Sequence, residues 1–371
     1  VDCRSNIFLK RTRRVYMKTI KARNVDEALY LGVDFFRGPE GVNYRKQESR
    51  NGTTRESIGP VVTHYTRPWE RVSFQKERDA NPFFHLYEAI WMLAGSKELK
   101  KLTYFNAGMA NFSDDGVRLN GAYGYRWTKT FMWNQIDIII KMLKEDPDSR
   151  RCVLQMWDAV HDLNSSSIDI PCNTNIYFKI RDNKLQMTVC NRSNDMIWGA
   201  YGANAVHMSV LQEYVAAALG IKMGPYYQIS DSFHIYENEQ WDKIKDLSGR
   251  GFGSWFSSTY PNPHYPLVSD PDSFTDECMQ FIQTTPPTRR SGNPEEVDAF
   301  SPSFTTETYK NTFFPDVMIP MVSAFRSHKE RNYKEAYDFL KEIKALDWQE
   351  AAFHWIKRRQ LNWEKKHGTG S

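Results

Sequence analysis

The chain has 371 residues, 40% of them hydrophobic and 14% aromatic, and a formal net charge of +4. That length suits one large domain or two modest ones, and so slight a charge without a basic tract argues against bulk nucleic-acid binding. Five scattered cysteines with no CxxC pair argue against a zinc site or a disulfide framework and for a reducing compartment, and no apolar run approaches a membrane span.

Residues 1–16 are basic but lack the apolar centre of a signal peptide. We read them as an extension ahead of the fold, with Met17 opening the ordinary sequence. "NVDEALYLGVDFF" has helical periodicity, with Asn24 or Asp26 near its cap. The polar stretch 44–57 reads as a loop turning at Gly52, and "PVVTHYTRP" and "ERVSF" have strand character. "NPFFHLYEAIWMLAGS" predicts a buried helix, capped by Asn81, opened by Pro82 and stopped by Gly95. "WNQIDIIIKMLKEDPDSR" predicts an amphipathic helix ended by Pro147.

"RCVLQMWD" reads as a strand, and "NIYFKI" and "KLQMTVCNRS" pair as a hairpin about Arg181-Asp182-Asn183. A long helix follows in "ANAVHMSVLQEYVAAALG", closed by Gly220, and then a short strand in "YYQISDSFHIYENE". Residues 251–315, rich in Ser, Thr, Pro and Gly, form an irregular insertion. The chain turns helical again over 316–367, and 368–371 read as a tag remnant. Strands and helices mix without a βαβ rhythm, so the class is α+β, with the main unit over 17–250.

Cys172 stands between Pro171 and Asn173 at the start of a strand. A cysteine is often a small buried hydrophobe, and Cys152 and Cys190, set in apolar alternation, read that way. Cys172 differs because Arg150 and Arg151 lie upstream, and nearby positive charge is what lowers a thiol pKa. Glu88 shares a helix face with Phe84 and Trp91. It either reaches out to water or an arginine, or is a carboxyl with a raised pKa suited to proton transfer or to organising water. Arg50, Arg150, Arg151 and Arg192 sit beside turns or strand ends. They are surface charges or, with Ser193, a phosphate cradle that is not a P-loop. His234 and Tyr236 alternate in a strand and share a face, either as core or as partners for a sugar hydroxyl.

In order along the chain, Arg50-Asn51-Gly52-Thr53, "HLYEAIWMLAGS", "GAYGYRW", "DPDSRR", "IPCN", "NRSNDMIWG", Asn204 and "HIY" resemble the thymidylate synthase superfamily. The likeness covers about residues 40–240 and is nearest to the phage pyrimidine-nucleotide hydroxymethylase branch. It implies a large twisted mixed sheet flanked by helices, here with a C-terminal helical extension, and an obligate homodimer packed through the sheets. It implies 5,10-methylenetetrahydrofolate as the one-carbon donor and a pyrimidine nucleoside monophosphate as the acceptor. It also implies a cytoplasmic site of action, in a host cell if the chain is phage-encoded. No metal, nucleic acid or membrane is implied.

The resemblance assigns Cys172 as the nucleophile at C6 of the ring and Glu88 as the organiser of proton transfer. Tyr123 and Asn173 line the site. Arg50, Arg192 and Ser193 hold the 5′-phosphate, and Arg150 and Arg151 reach the phosphate of the neighbouring subunit. Asp195 contacts the folate, Asn204 reads the base, and His234 and Tyr236 meet the 3′-hydroxyl. Attack at C6 makes C5 nucleophilic, after which hydride gives a methyl group and water a hydroxymethyl group.

Three departures favour the hydroxymethyl outcome. "TYFNAGMANFSDDG" has no tryptophan where synthases carry two, although Phe105 or Phe112 covers part of the loss. The synthases' apolar C-terminal tail is missing, and Asn173 replaces their histidine. An amide at 204 suits uracil better than cytosine, so dUMP is favoured over dCMP. "GAYGAN" is one residue longer than the synthase spacing, however, and an ungapped reading puts Ala203 there. Methylation of dUMP, hydroxymethylation of dCMP and a ribonucleotide substrate stay open.

Overall fold

In a computed structural model the described residues are 17–247, 264–285 and 309–368. The elements in chain order are β1 (Lys18–Ala22), α1 (Val25–Arg37), β2 (Tyr44–Ser49), β3 (Gly52–Ser57), β4 (Val61–Tyr65), α2 (Pro82–Leu93), α3 (Leu99–Thr103), α4 (Tyr123–Tyr125) and α5 (Gln135–Glu145). They continue as β5 (Val153–Gln155), α6 (Ala159–Asp162), β6 (Asn173–Arg181), β7 (Lys184–Asp195), α7 (Asn204–Ala218), β8 (Lys222–Tyr236) and α8 (Glu239–Ile244). The remainder is helical: α9 (Pro271–Thr284), α10 (Ile319–Lys329), α11 (Tyr333–Glu342) and α12 (Leu346–His367).

The strands form one mixed eight-stranded sheet in the order β1-β4-β8-β7-β6-β5, with β3 also on β8 and β2 on β3. β1–β4 and β7–β8 run parallel and the other pairs antiparallel. The β6–β7 hairpin turns at Asp182 and Asn183, whose φ values of 52° and 53° are those of a type I′ turn. The parallel β7–β8 pair needs a crossover, and α7 supplies it. All of α7 from Asn204 to Ala216 is buried.

α2 is capped by Asn81, whose Oδ1 accepts the Phe84 N–H at 3.1 Å, and Pro82 occupies its first turn. Every residue of α2 except Glu88 is buried. Phe83, on this helix, meets Phe325 of α10 and Trp355 of α12 at ring separations of 5.2 and 5.4 Å. The C-terminal helices therefore cover α2 as part of one core. Arg358 and Arg359 of α12 reach Asp79, just ahead of α2, at 2.9 and 2.8 Å.

Five expectations need correction. The polar 44–57 stretch is the β2–β3 hairpin, its turn made by Arg50 and Asn51 between the paired Ser49 and Gly52, with the glycine at φ +111°. "ERVSF" is not a strand. Asp26 accepts the Ser73 hydroxyl at 2.7 Å and the Phe74 N–H at 3.0 Å, so that backbone bonds to a side chain instead of a ladder. "YYQISDSFHIYENE" belongs to β8, which at 15 residues is the longest strand described. The 251–315 stretch holds a regular helix, α9, although 251–263 and 286–308 lie outside the described residues. Cys190, expected in the core, is only half-buried in the single chain. The expected extension at 1–16 falls outside the described residues, as does the expected remnant at 368–371 apart from Gly368, which caps α12.

Candidate active site

The turn before β6 carries Cys172. Its carbonyl accepts the Arg192 N–H at 2.9 Å, and Asn173 pairs with Asn191 across the hairpin. The Arg192 side chain folds back onto the same turn, donating to the carbonyls of Pro171 and Ile170, each at 3.0 Å. Arg50, at the tip of the β2–β3 hairpin, donates to the Ile168 carbonyl at 3.3 Å. Two guanidinium groups thus hold the turn and keep free N–H groups beside it.

The expectation that Arg150 and Arg151 depress the thiol pKa does not hold, since neither acts on Cys172. Burial is the largest influence and pushes the Cys172 thiol above its ordinary value. Arg192 and Arg50 pull it down, while Asp169 and Asp195 push it up. The net direction is upward, because desolvating a thiolate outweighs two arginines already bonded to carbonyls.

Tyr123 comes to this turn from another direction. Its hydroxyl lies within hydrogen-bond reach of the Asn173 side chain and the Cys172 backbone, and burial raises its pKa. The turn that carries it lies flat on α2. A Cβ on Gly124 would stand 1.6 Å from the Met92 carbonyl oxygen, so only glycine fits there. Arg126 then anchors the segment through a two-pronged bond to the buried Asp162 at 2.6 and 2.9 Å.

Beyond Arg192, β7 delivers a row of buried amides. Asn173 donates to Asn191 at 2.8 Å, and its own Oδ1 is buried with no partner. Asn194 donates to Gln228 at 2.7 Å and to Ser230 at 3.0 Å. It accepts from Asn204 at 3.1 Å. Met196–Ala203, between β7 and α7, is wound as a π-helix that departs from helical geometry at Tyr201 and Gly202. A π-turn takes up one extra residue within a helix. It therefore absorbs the long "GAYGAN" spacing and brings Asn204, not Ala203, against Asn194.

Asp195 caps that segment. Its Oδ1 accepts the Ile197 N–H at 2.9 Å and the Trp198 N–H at 2.5 Å, while Oδ2 is buried with no partner. Burial raises the carboxyl pKa, with the Trp198 N–H and His234 acting against it. Trp198, beside it, is 54% exposed with its ring under the Arg78 guanidinium at 4.8 Å.

Glu88 meets neither water alone nor an arginine. Its Oε2 lies 3.1 Å from His207 Nε2, with the two side chains 13% and 4% exposed. The ring nitrogen is not aligned on the carboxylate and counts among the unpartnered buried atoms. His207 is one turn after Asn204 on α7, so the imidazole and the amide share one face of that helix, with the Glu88 carboxylate coming from α2.

His234 pairs in register with Asp195. Its Nδ1 lies 3.2 Å from the Ser232 carbonyl and 3.4 Å from the Ser232 hydroxyl. The rings of His234 and Tyr236 meet edge to face at 5.5 Å, and the Tyr236 hydroxyl accepts from Asn51 at 3.4 Å. Ser193 is half-buried, opposite Ser232.

Arg150 and Arg151 are not brought to Cys172. They are exposed and precede β5, next to Cys152, whose carbonyl accepts the Phe178 N–H at 3.0 Å. Phe178 is five residues along β6 from Asn173, which is about 17 Å of strand. Phe105 stays in the core between Tyr87 and Phe325, and Phe112 is exposed. Among the described residues no cluster of His, Cys, Asp or Glu could hold a metal, and no helix is long and apolar enough to cross a membrane.

Sequence reasoning missed His207, Asn194, Gln228 and Asp169. Only His207 left a signal, a histidine one helical turn after Asn204 in a largely apolar helix. Asp169 accepts the Gly121 N–H at 2.7 Å and joins the Tyr123 segment to the Cys172 turn.

A half-buried thiol on a strand-start turn, beside guanidinium groups with free N–H donors and a row of buried amides, is the arrangement of a candidate enzyme site for a polar ligand. Residues 40–252 match the thymidylate synthase family model, and the chain belongs to that family. It is 41% identical to the deoxyuridylate hydroxymethyltransferase of Pseudomonas phage M6 over 94% of this chain and 97% of that protein. It is 38% identical to the deoxyuridylate hydroxymethyltransferase of Bacillus phage SP01, over 54% of this chain and 56% of that one. The solved thymidylate synthase from T4 phage covers 60% of this chain and 80% of that one, at 21% identity and a TM-score of 0.49.

Proposed function

We propose that this chain hydroxymethylates dUMP at C5, with 5,10-methylenetetrahydrofolate as the one-carbon donor, as a homodimer in the cytoplasm, of a host cell if it is phage-encoded. The chief support is the run of identity with the phage M6 protein, which covers 94% of the chain. The family model stops at residue 252, and the identity extends through the C-terminal helices beyond it.

In this reading Cys172 adds to C6 of the uracil ring. Its sulfur takes up a bond as the ring electrons move to C5 and O4, which makes C5 a nucleophile. Asn204 sets the ring edge, and Tyr123 and Asn173 bound its face. Arg192, Arg50 and Ser193 hold the 5′-phosphate, because their turn keeps N–H groups free. Arg150 and Arg151, too far away within one chain, serve the partner subunit. His234 and Tyr236 hold the 3′-hydroxyl.

The donor fits the site at Asp195, whose buried orphan Oδ2 requires an N–H partner and whose neighbour Trp198 offers a flat exposed ring. When bound, the donor supplies the one-carbon unit. Glu88, the single member of α2 in touch with solvent, holds water with His207 near the ring and accepts or returns its proton. With Phe105 turned into the core and Phe112 outward, that water is not excluded, and water at the new carbon gives hydroxymethyl.

The test is mass spectrometry of the products from dUMP and dCMP incubated side by side with 5,10-methylenetetrahydrofolate. Hydroxymethylated dUMP is expected. Methylated dUMP would make the chain a synthase, and product from dCMP alone would overturn the base assignment.

A further inference from the structure

Asn204 is the last member of a buried chain of amides, and the chain has a polarity. Gln228 Nε2 donates to the Ala200 carbonyl at 3.1 Å. A carbonyl oxygen only accepts, so this contact fixes which end of the Gln228 amide is nitrogen. Gln228 Oε1 therefore faces Asn194 and accepts from its Nδ2 at 2.7 Å. Asn194 Oδ1 then faces Asn204 and accepts from Nδ2 at 3.1 Å. Gln228, Asn194 and Ser230 are all 2% exposed or less, so water does not substitute for a lost partner. A Cβ on Gly199 would stand 2.5 Å from Asn194 Oδ1 and 3.4 Å from Asn204 Nδ2, so the glycine leaves room for this contact.

We infer that Asn194 and Gln228 are positioning residues that set base specificity, by locking the Asn204 amide with its oxygen and one N–H turned toward the ring. This rests on the reading of Asn204 as the base-contacting residue. Asn204 Oδ1 takes no hydrogen bond among the described residues, and its second N–H is likewise free. That acceptor–donor pair matches N3–H and O4 of uracil. Cytosine presents the opposite order, an acceptor at N3 and a donor at N4. To match it, Asn204 must turn its oxygen against Asn194 Oδ1. Turning Asn194 as well brings its oxygen against Gln228 Oε1, and Gln228 is held by the Ala200 carbonyl. Each reversal leaves buried groups opposed or unpaired, the arrangement that discriminates strongly between ligands.

The experiment is calorimetric binding of dUMP and dCMP to the full chain and to Asn194→Leu, Gln228→Met and Asn194→Asp, with kcat and KM on dUMP beside it. Wild type is expected to prefer dUMP. Asn194→Leu and Gln228→Met are expected to cut the dUMP/dCMP affinity ratio at least ~10-fold, raising KM for dUMP more than they lower kcat. Asn194→Asp keeps an acceptor toward Asn204 but loses the donor to Gln228, and is expected to cut the ratio less than Asn194→Leu does. A merely structural role would weaken both nucleotides alike and leave the ratio unmoved, and that result in folded variants overturns the inference. If Asn194→Leu and Gln228→Met do not fold, Gly199→Ala, which crowds the same contact, carries the ratio test. Wild type that binds dUMP selectively without turning it over would instead sink the hydroxymethylase reading and leave the ratio test in force.

Discussion

Glu277 of α9 and Asp195 of β7 both place carboxylate oxygens out of water, and the protein treats them differently. Every oxygen of Glu277 is used. Oε1 accepts from Ser273 and the Lys310 N–H at 3.0 and 2.8 Å, and Oε2 accepts two bonds from Asn311 at 3.1 and 2.9 Å. Asn311 in turn fills its remaining capacity on Ser269, Asp270 and Ser273. Asp195 and Asn173 each keep one buried oxygen unpaired, and His207 keeps a ring nitrogen so. A fully satisfied polar cluster holds a chain in place, and a half-satisfied one calls for another explanation. The Glu277 cluster is thus closed on itself, and Asp195 keeps a buried acceptor open.

That contrast can be broken by removing the group the site is built around. Cys172→Ala is expected to lower turnover of dUMP by at least ~10³-fold, with the melting temperature unchanged and nucleotide binding retained. Appreciable residual activity in a clean preparation would remove the nucleophile from the account. On the structural side, Glu277→Ala leaves two backbone N–H groups and an amide unpaired. It is expected to cost roughly 3 kcal/mol in chemical denaturation while kcat per folded molecule holds.

Asp195→Asn is the counterpart. It preserves an acceptor for Ile197 and Trp198, so stability should change by less than ~1 kcal/mol, while KM for the folate rises ~10- to 100-fold. An equal loss of stability in the two carboxylate variants would erase the difference between the regions.

The gentlest probe is pH. The Cys172 thiol lies above its ordinary pKa through burial. Its reactive form, the thiolate, is therefore scarce at neutrality and grows as pH rises. Alkylation by iodoacetamide should climb about tenfold per unit from pH 7 and still be rising at pH 9. A plateau below pH 8 would show that the arginines outweigh burial.

What the sequence disclosed follows from which forces each segment obeys. The α2 helix and the 181–183 turn were legible because capping, apolar period and turn chemistry agree there. The β2–β3 hairpin was missed because its outward residues are charged and no apolar alternation marks it, although Asn51-Gly52 is a strong hairpin signal. β8 was read as short because Gln228 and Ser230 occupy inward positions that a plain strand would give to apolar residues. The same residues that serve the site hid the strand. The family was legible through the order of its motifs, which also named the candidate site residues. The pairings behind them were not, since His207 to Glu88 and Gln228 to Asn194 join segments 119 and 34 residues apart.

The π-wound stretch from Met196 to Ala203 bears on how relatives should be compared. A helix that swallows one residue rotates everything after it by a little over a quarter turn. Counting positions from Asp195 would then pick alanine as the base reader in this chain and asparagine in a relative one residue shorter. Where such a loop of backbone comes and goes within a lineage, the same side chain reaches the same place under two different numbers, and only three-dimensional superposition keeps the count honest.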